Sequence, residues 1–141
     1  MQRKRPASWQ GDLKTGKGTV STDSGVLSQT QYSFSTRFES GKGTNPEELT
    51  AAAHAGCFTM ALSAQLGNAG LTPEKLETTA TVTFDKLEAG WTVTKILLDV
   101  KGKVPKADKA AWEKATEAAK TGCPISRLLN TTITMQAKLE E

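Results

Sequence analysis

Between Leu49 and Pro73 the chain runs for 25 residues without an Asp, Glu, Lys or Arg. A stretch of that length crosses either a bilayer or the core of a domain, and its composition decides between them. It carries Thr50, His54, Thr59, Ser63, Gln65 and Asn68 together with Gly56, Gly67 and Gly70, and its centre is rich in Ala rather than Leu. A long helix buried in protein is expected, not a membrane span. The flanks mark its ends. Asn45 fits an N-cap, Pro46 fits the first helical position, and Glu48 stands three residues after the cap. Gly67 or Gly70 supplies the stop. The middle, Ala51-Ala52-Ala53-His54-Ala55-Gly56-Cys57, is built of small side chains that let another backbone come close. Such a helix is expected to be buried all round, against the rest of the chain or against a copy of itself.

Shorter elements surround it. Residues 7–14 and 17–22 read as strands around Gly16 and Gly18, and Thr30 to Phe38 as a half-buried strand with Arg37 on its polar face. Ala80, Val82 and Phe84 alternate with threonines in another strand, which a turn at Glu88-Ala89-Gly90 joins to Trp91–Val100. That partner strand has apolar residues in both frames, so cover on both faces is expected. Ala107 to Thr121 shows a helical stripe of Trp112, Ala115 and Ala119 ended by Gly122, and Cys123-Pro124 opens a short further helix. Thr131 to Leu139 is a last strand. The order β-β-β-α-β-β-α-α-β implies an α+β fold with antiparallel pairing.

Length and composition bound the rest. A chain of 141 residues suits one domain, 1–141, with residues 1–6 as a basic tail, and it needs no metal or disulfide staple. Two Cys and one His cannot fill a four-ligand zinc site. The net charge of +3 is mild and the lysines are interleaved with acids, so neither nucleic acid nor membrane is an expected partner. Residues 1–30 hold no apolar stretch of the kind a secretory signal uses. The expected location is therefore cytoplasmic, where a permanent disulfide is not expected.

That leaves Cys57 and Cys123, 66 positions apart and outside any CxxC motif, as thiols needing a reason. Either one fits a core as a small hydrophobe. Cys57 lies mid-helix among uncharged residues, where desolvation alone favours the unreactive thiol. One positive charge at about 4 Å, at an effective dielectric near 20, is worth roughly 4 kcal/mol, or about three pKa units, enough to reverse modest desolvation. His54, three residues earlier on the same helix face, is a poor permanent cation if buried; an Arg stays charged. Cys123 sits at a helix N-terminus, which favours a thiolate.

The segments GTNPEELTAAAHAGCF at 43–58 and GCPIS at 122–126 resemble the OsmC/Ohr family, osmotically inducible protein C and organic hydroperoxide resistance proteins. GDLKTGKGTVSTDSGVL at 11–27 and FSTRFES at 34–40 are similar to the OsmC branch. The resemblance implies an OsmC-like fold of antiparallel sheets around a long central helix, assembled as an intertwined homodimer. It implies a thiol peroxidase reducing organic hydroperoxides to alcohols. In that pattern Cys57 is the peroxidatic residue, Cys123 resolves its sulfenic acid as an intramolecular disulfide, Arg37 activates the thiolate, and Glu47 orients Arg37. The Ohr branch takes its Arg from an earlier Gly-rich loop, where this chain offers Lys17 as the alternative cation. No resident cofactor is implied. The implied partners are an organic hydroperoxide, a dithiol reductant (a lipoylated protein in the Ohr branch) and a second copy of the chain.

Glu47 and Cys57 are ten residues apart, about 15 Å along a helix. Either the helix starts later than Pro46, or a long Arg bridges the gap, or Glu47 comes from another copy, as an interface site implies. Phe34, Phe38, Phe58, Met60, Ile125, Leu128 and His54 are candidates for an apolar substrate pocket, and each reads equally well as core. Two other functions compete: a non-catalytic module binding an apolar ligand, and a redox sensor passing its disulfide to a partner.

Overall fold

The computed structural model describes all 141 residues, Met1–Glu141. The chain divides into two compact units, Met1–Leu49 and Thr50–Glu141.

In the first unit, β1 (Ala7–Gln10), β2 (Lys17–Val20) and β3 (Thr30–Tyr32) form an antiparallel sheet in that order. Residues 1–6 precede it without regular structure, and among them Arg5 Nε donates to Asp23 Oδ1 at 2.8 Å. Gly11, at φ +91°, ends β1 earlier than the sequence pattern indicates. The Asp12 carboxylate then closes the turn by accepting from Thr15 N–H (2.8 Å) and Oγ1 (2.7 Å). Gly18 pairs with both Trp9 and Tyr32, whose rings leave no room for a side chain: a Cβ would lie 2.5–2.7 Å from them.

The expected strand over Thr30–Phe38 is only half present. After Tyr32 the chain turns into a short helix, α1 (Phe34–Phe38). Ser33 and Thr36 cap it reciprocally: Thr36 N–H donates to Ser33 Oγ (3.3 Å) and Ser33 N–H to Thr36 Oγ1 (2.8 Å). Those bonds satisfy backbone donors that a continuing strand would have left to a neighbour.

The long helix, α2 (Pro46–Asn68), starts where its signals put it. Asn45 Oδ1 accepts from Glu48 N–H at 2.7 Å. Its end is a Schellman motif: Leu71 N–H donates to Leu66 O and Gly70 N–H to Gly67 O, both at 2.9 Å, with Gly70 at φ +76°. No helix is long and apolar enough to cross a membrane.

In the second unit, β4 (Lys75–Leu87) and β5 (Gly90–Lys103) form a long antiparallel hairpin, and β6 (Thr132–Glu140) completes the sheet in the order β4-β5-β6. The pairing of β5 with β6 is parallel, the exception to the antiparallel expectation. Two helices, α3 (Lys109–Gly122) and α4 (Pro124–Leu128), carry the chain back from the end of β5 to the start of β6. A crossover of that length returns the strand in the same direction. The core is made by Phe58, Leu62 and Leu66 of α2, Ile96, Leu98 and Val100 of β5, and Trp112, Ala115 and Ala119 of α3. From Ile96 onward β5 alternates buried and exposed residues, with Asp99, Lys101 and Lys103 exposed, so its second face is not covered as expected. Nor is α2 buried all round. His54, Phe58, Leu62 and Leu66 are buried, while Ala53, Gly56, Met60, Ala64 and Gly67 form an exposed stripe.

Candidate active site

The second unit brings both cysteines together. Cys57 lies mid-way along α2, next to Phe58, whose complete burial fixes the rotation of the helix. Cys123 is the hinge between two helices. Its N–H donates to Ala119 O at 2.9 Å, ending α3, and its carbonyl accepts from Arg127 N–H at 3.0 Å, starting α4. Pro124 at the first position of α4 forces that change of direction. The two sulfurs share a hydrogen bond and stand 2.8 Å apart as free thiols, Cys123 fully buried and Cys57 partly open. Burial pushes the Cys57 thiol up from its ordinary pKa. The hydrogen bond with Cys123 acts in the same direction, and the Ile125 N–H opposes both. Within this unit the thiol is favoured over the thiolate.

One helical turn before Cys57 lies His54, with no exposed surface. Its Nε2 is 2.7 Å from Ser126 Oγ. Burial holds its pKa below the usual histidine range, so the ring is neutral near pH 7.

The first unit brings together a different set. Arg37, in the last turn of α1, grips Glu47, in the first turn of α2. Nη2 donates to Oε1 at 2.7 Å, and Nε to both carboxylate oxygens at 3.2 Å. This bidentate contact fixes the guanidinium plane. Asn45 Nδ2 donates to Thr36 O at 3.0 Å, tying α1 to the start of α2. Glu48 is occupied elsewhere, accepting from Thr44 Oγ1 at 2.8 Å. The Arg37 carbon Cζ lies 5.4 Å from the centre of the Phe38 ring. Beside it is a cavity of about 290 Å³ lined by Trp9, Leu13, Tyr32, Phe34, Phe38 and Arg37 itself. Lys17, on β2, does not line it.

Of the residues proposed for an apolar pocket, Phe34 and Phe38 line this cavity. Phe58 is entirely core and has no surface to offer. Met60 and Leu128 are 77% and 72% exposed, and Ile125 is half-buried against the core. The sequence missed Trp9, Leu13 and Tyr32 as lining residues, because nothing local relates them to Arg37. It also missed Ser126 as the partner of His54, although the matched spacings His54–Cys57 and Cys123–Ser126 were a usable signal.

Comparison with known proteins agrees with this geometry. The family model described as OsmC-like protein matches residues 39–138. The chain is 52% identical over 140 residues to Peroxiredoxin OsmC of Escherichia coli (strain K12), covering 99% of this chain and 98% of that protein. Among solved structures, an OsmC-like protein of unknown function from Vibrio cholerae superposes with a TM-score of 0.76 at 18% identity, covering 98% of this chain and 99% of that one. The organic hydroperoxide resistance protein OhrB of Bacillus subtilis does so with a TM-score of 0.69 at 23% identity, covering 99% and 98%. Such low identities speak for the fold. Together with the family match and the close relative, they show that this chain belongs to the OsmC family.

Proposed function

We propose that the protein is a thiol peroxidase that reduces organic hydroperoxides to alcohols. The observation that carries this is the pair of free thiols 2.8 Å apart on α2 and at the head of α4. Inert packing gives no reason to place two sulfurs in register across two helices, whereas sulfenic acid resolution requires it.

The Cys57 thiolate attacks the distal peroxide oxygen. The O–O bond breaks, the alcohol leaves after its alkoxide gains a proton, and Cys57 becomes a sulfenic acid. Cys123 then condenses with it, forming the disulfide and releasing water. An external dithiol, such as a lipoylated protein, restores both thiols; no resident cofactor enters. The first step needs a cation, because the surroundings of Cys57 within its own unit favour the thiol. Arg37 supplies it and steadies the leaving alkoxide. Glu47 lowers the net positive field, so its value is geometric: it holds the guanidinium plane. The cavity beside Arg37, walled by Phe34 and Phe38, takes the apolar part of the peroxide.

Continuous helix separates Glu47 from Cys57, a rise of about 15 Å over ten residues. With α2 starting at Pro46, a long Arg or a second copy remains to bridge that rise, and the exposed face of α2 favours the second copy. We therefore draw the Arg37–Glu47 pair of each site from a second copy in an obligate homodimer. The exposed stripe of small residues on α2 is a surface for that copy to cover.

Intact mass after one equivalent of cumene hydroperoxide tests the reaction. The expected result is loss of two hydrogens per chain. Cys57→Ser should consume no peroxide, and Cys123→Ser should gain one oxygen in a single turnover and stop. An unchanged mass in the unsubstituted chain overturns the reaction and leaves the ligand-binding alternative. Multiple turnover with a dithiol separates an enzyme from a sensor.

A further inference from the structure

His54 is the chain's single histidine, it is fully buried, and the reaction above gives it no task. Its placement relative to the thiols is specific. On α2 it precedes Cys57 by three residues, which puts both on one face. Ser126 follows Cys123 by the same interval at the start of α4. The two helices therefore meet at two successive rungs. One is Cys57–Cys123, with sulfurs 2.8 Å apart, and the other is His54–Ser126, with Nε2 and Oγ 2.7 Å apart.

The second rung is dry. His54 is 0% and Ser126 9% exposed, and His54 Nδ1 is buried with no hydrogen-bond partner in the chain. An orphaned buried polar atom carries an uncompensated desolvation cost. An apolar side chain of similar size would avoid that cost, so the hydrogen bond on the other nitrogen needs a use beyond filling space.

The use lies in what α4 lacks. It has five residues, and its N-cap, Cys123, makes no side-chain capping bond. A helix so short does not hold itself. Its internal bonds, Arg127 N–H to Cys123 O (3.0 Å) and Leu129 N–H to Ile125 O (3.1 Å), do not tie it to α2. Two bonds that do so, Cys123 to Cys57 and Ile125 N–H to the Cys57 sulfur, involve the reacting sulfur itself; the polar side-chain bond outside that rung is His54–Ser126.

We propose that the His54–Ser126 hydrogen bond is a positioning clamp that keeps Cys123 within bonding reach of Cys57 and so directs the sulfenic acid to the disulfide. This deepens the peroxidase assignment and rests on it for its consequences. In the resolving step an S–S bond forms and the S–O bond of Cys57 breaks; the hydroxyl leaves with the Cys123 proton as water. The Cys123 sulfur is oxidised and the Cys57 sulfur reduced by the same amount. The competing step consumes a second hydroperoxide, which oxidises the sulfenic acid to sulfinic acid and leaves as alcohol; that product is not recovered by thiols. Resolution is intramolecular, so its rate follows the fraction of time the sulfurs are in register, and that fraction is what the clamp raises. His54 and Ser126 are positioning residues: neither touches the peroxide in this scheme.

Ser126→Ala removes the clamp, Ser126→Thr retains the hydroxyl, and His54→Asn tests the other partner. Two measurements separate the clamp from the peroxidase chemistry. The first uses no peroxide. Each chain is equilibrated with mixtures of reduced and oxidised dithiothreitol, and the Cys57–Cys123 disulfide is quantified by mass. Loss of one net hydrogen bond should lower the effective concentration of the thiol pair about fivefold to tenfold in Ser126→Ala and His54→Asn, with Ser126→Thr close to the unsubstituted chain. The second uses excess cumene hydroperoxide. The sulfinic fraction at Cys57 should rise several-fold in the same two variants. An unchanged disulfide equilibrium and an unchanged sulfinic fraction in a folded Ser126→Ala overturn the clamp. A shifted disulfide equilibrium in chains that never react with peroxide upholds the clamp and overturns the peroxidase assignment.

Discussion

Cys57 and His54 show how one environment acts on two titratable groups in opposite directions. Burial pushes the thiol up and the imidazole down, since both shifts favour the neutral form. For His54 the lowered pKa has a consequence for stability. The unfolded chain takes up a proton near pH 6.5 while the folded chain does not, so protons favour unfolding. Above about pH 6.5 the effect is absent, and as pH falls from there toward the folded-state value the folded chain is progressively destabilised, by at most about 1.4 kcal/mol per pH unit for one proton. Denaturant titrations at pH 7.5 and 5.5 should show this loss in the unsubstituted chain and a smaller one in His54→Asn. With a single histidine in the sequence, no other imidazole contributes. At this scale the sequence was informative about residue type and silent about partners. Cys57 and Cys123 stood out because two thiols without a staple to form need a reason. Ser126 did not, because its partner is 72 positions away and the only signal was the matched three-residue spacing of each residue from its cysteine.

Elements were legible in proportion to their length. For α2, a cap, a proline, a charge-free run and a terminal glycine all agreed. The five residues of α1 are too few for any period, and Phe34 and Phe38 fell into register with Tyr32 as if on a strand. Ser33 and Thr36 were the available signal: a hydroxyl pair at cap and third position. The parallel direction of β6 was missed for another reason: it is set by the crossover through α3 and α4, whose helices the sequence did show, and not by the residues of the strand. The cap on α1 makes a separable prediction. Ser33→Ala removes the acceptor for Thr36 N–H and should cost about 1 kcal/mol in denaturant stability. Because α1 carries Arg37 and two walls of the cavity, the first oxidation of Cys57 should slow in this variant while the disulfide equilibrium stays unchanged. A stability loss with no change in peroxide reactivity would show that α1 does not position the cation.

At the scale of the whole molecule, the small-residue run of α2 announced a close approach by another backbone without saying which. One face of that run meets the core of its own unit, and the other, through Ala53, Gly56, Met60, Ala64 and Gly67, is exposed. If each site combines the thiols of one copy with the Arg37–Glu47 pair of the other, two inactive chains should rescue each other. Arg37→Ala should slow the first step far more than Arg5→Ala, whose guanidinium pairs with Asp23 instead of Glu47. Cys57→Ser should abolish it. Co-refolding equal amounts of Arg37→Ala and Cys57→Ser chains makes mixed dimers. In each of these, one site unites an intact Cys57 with an intact Arg37 and the other has neither. Random pairing makes half of all dimers mixed, so recovered activity should approach about a quarter of that of the unsubstituted dimer. Sites complete within one chain would recover nothing, because every chain in the mixture lacks one of the two groups. The same result, or an active monomer on dilution, would return Arg37 and its charge to the Cys57 of its own chain.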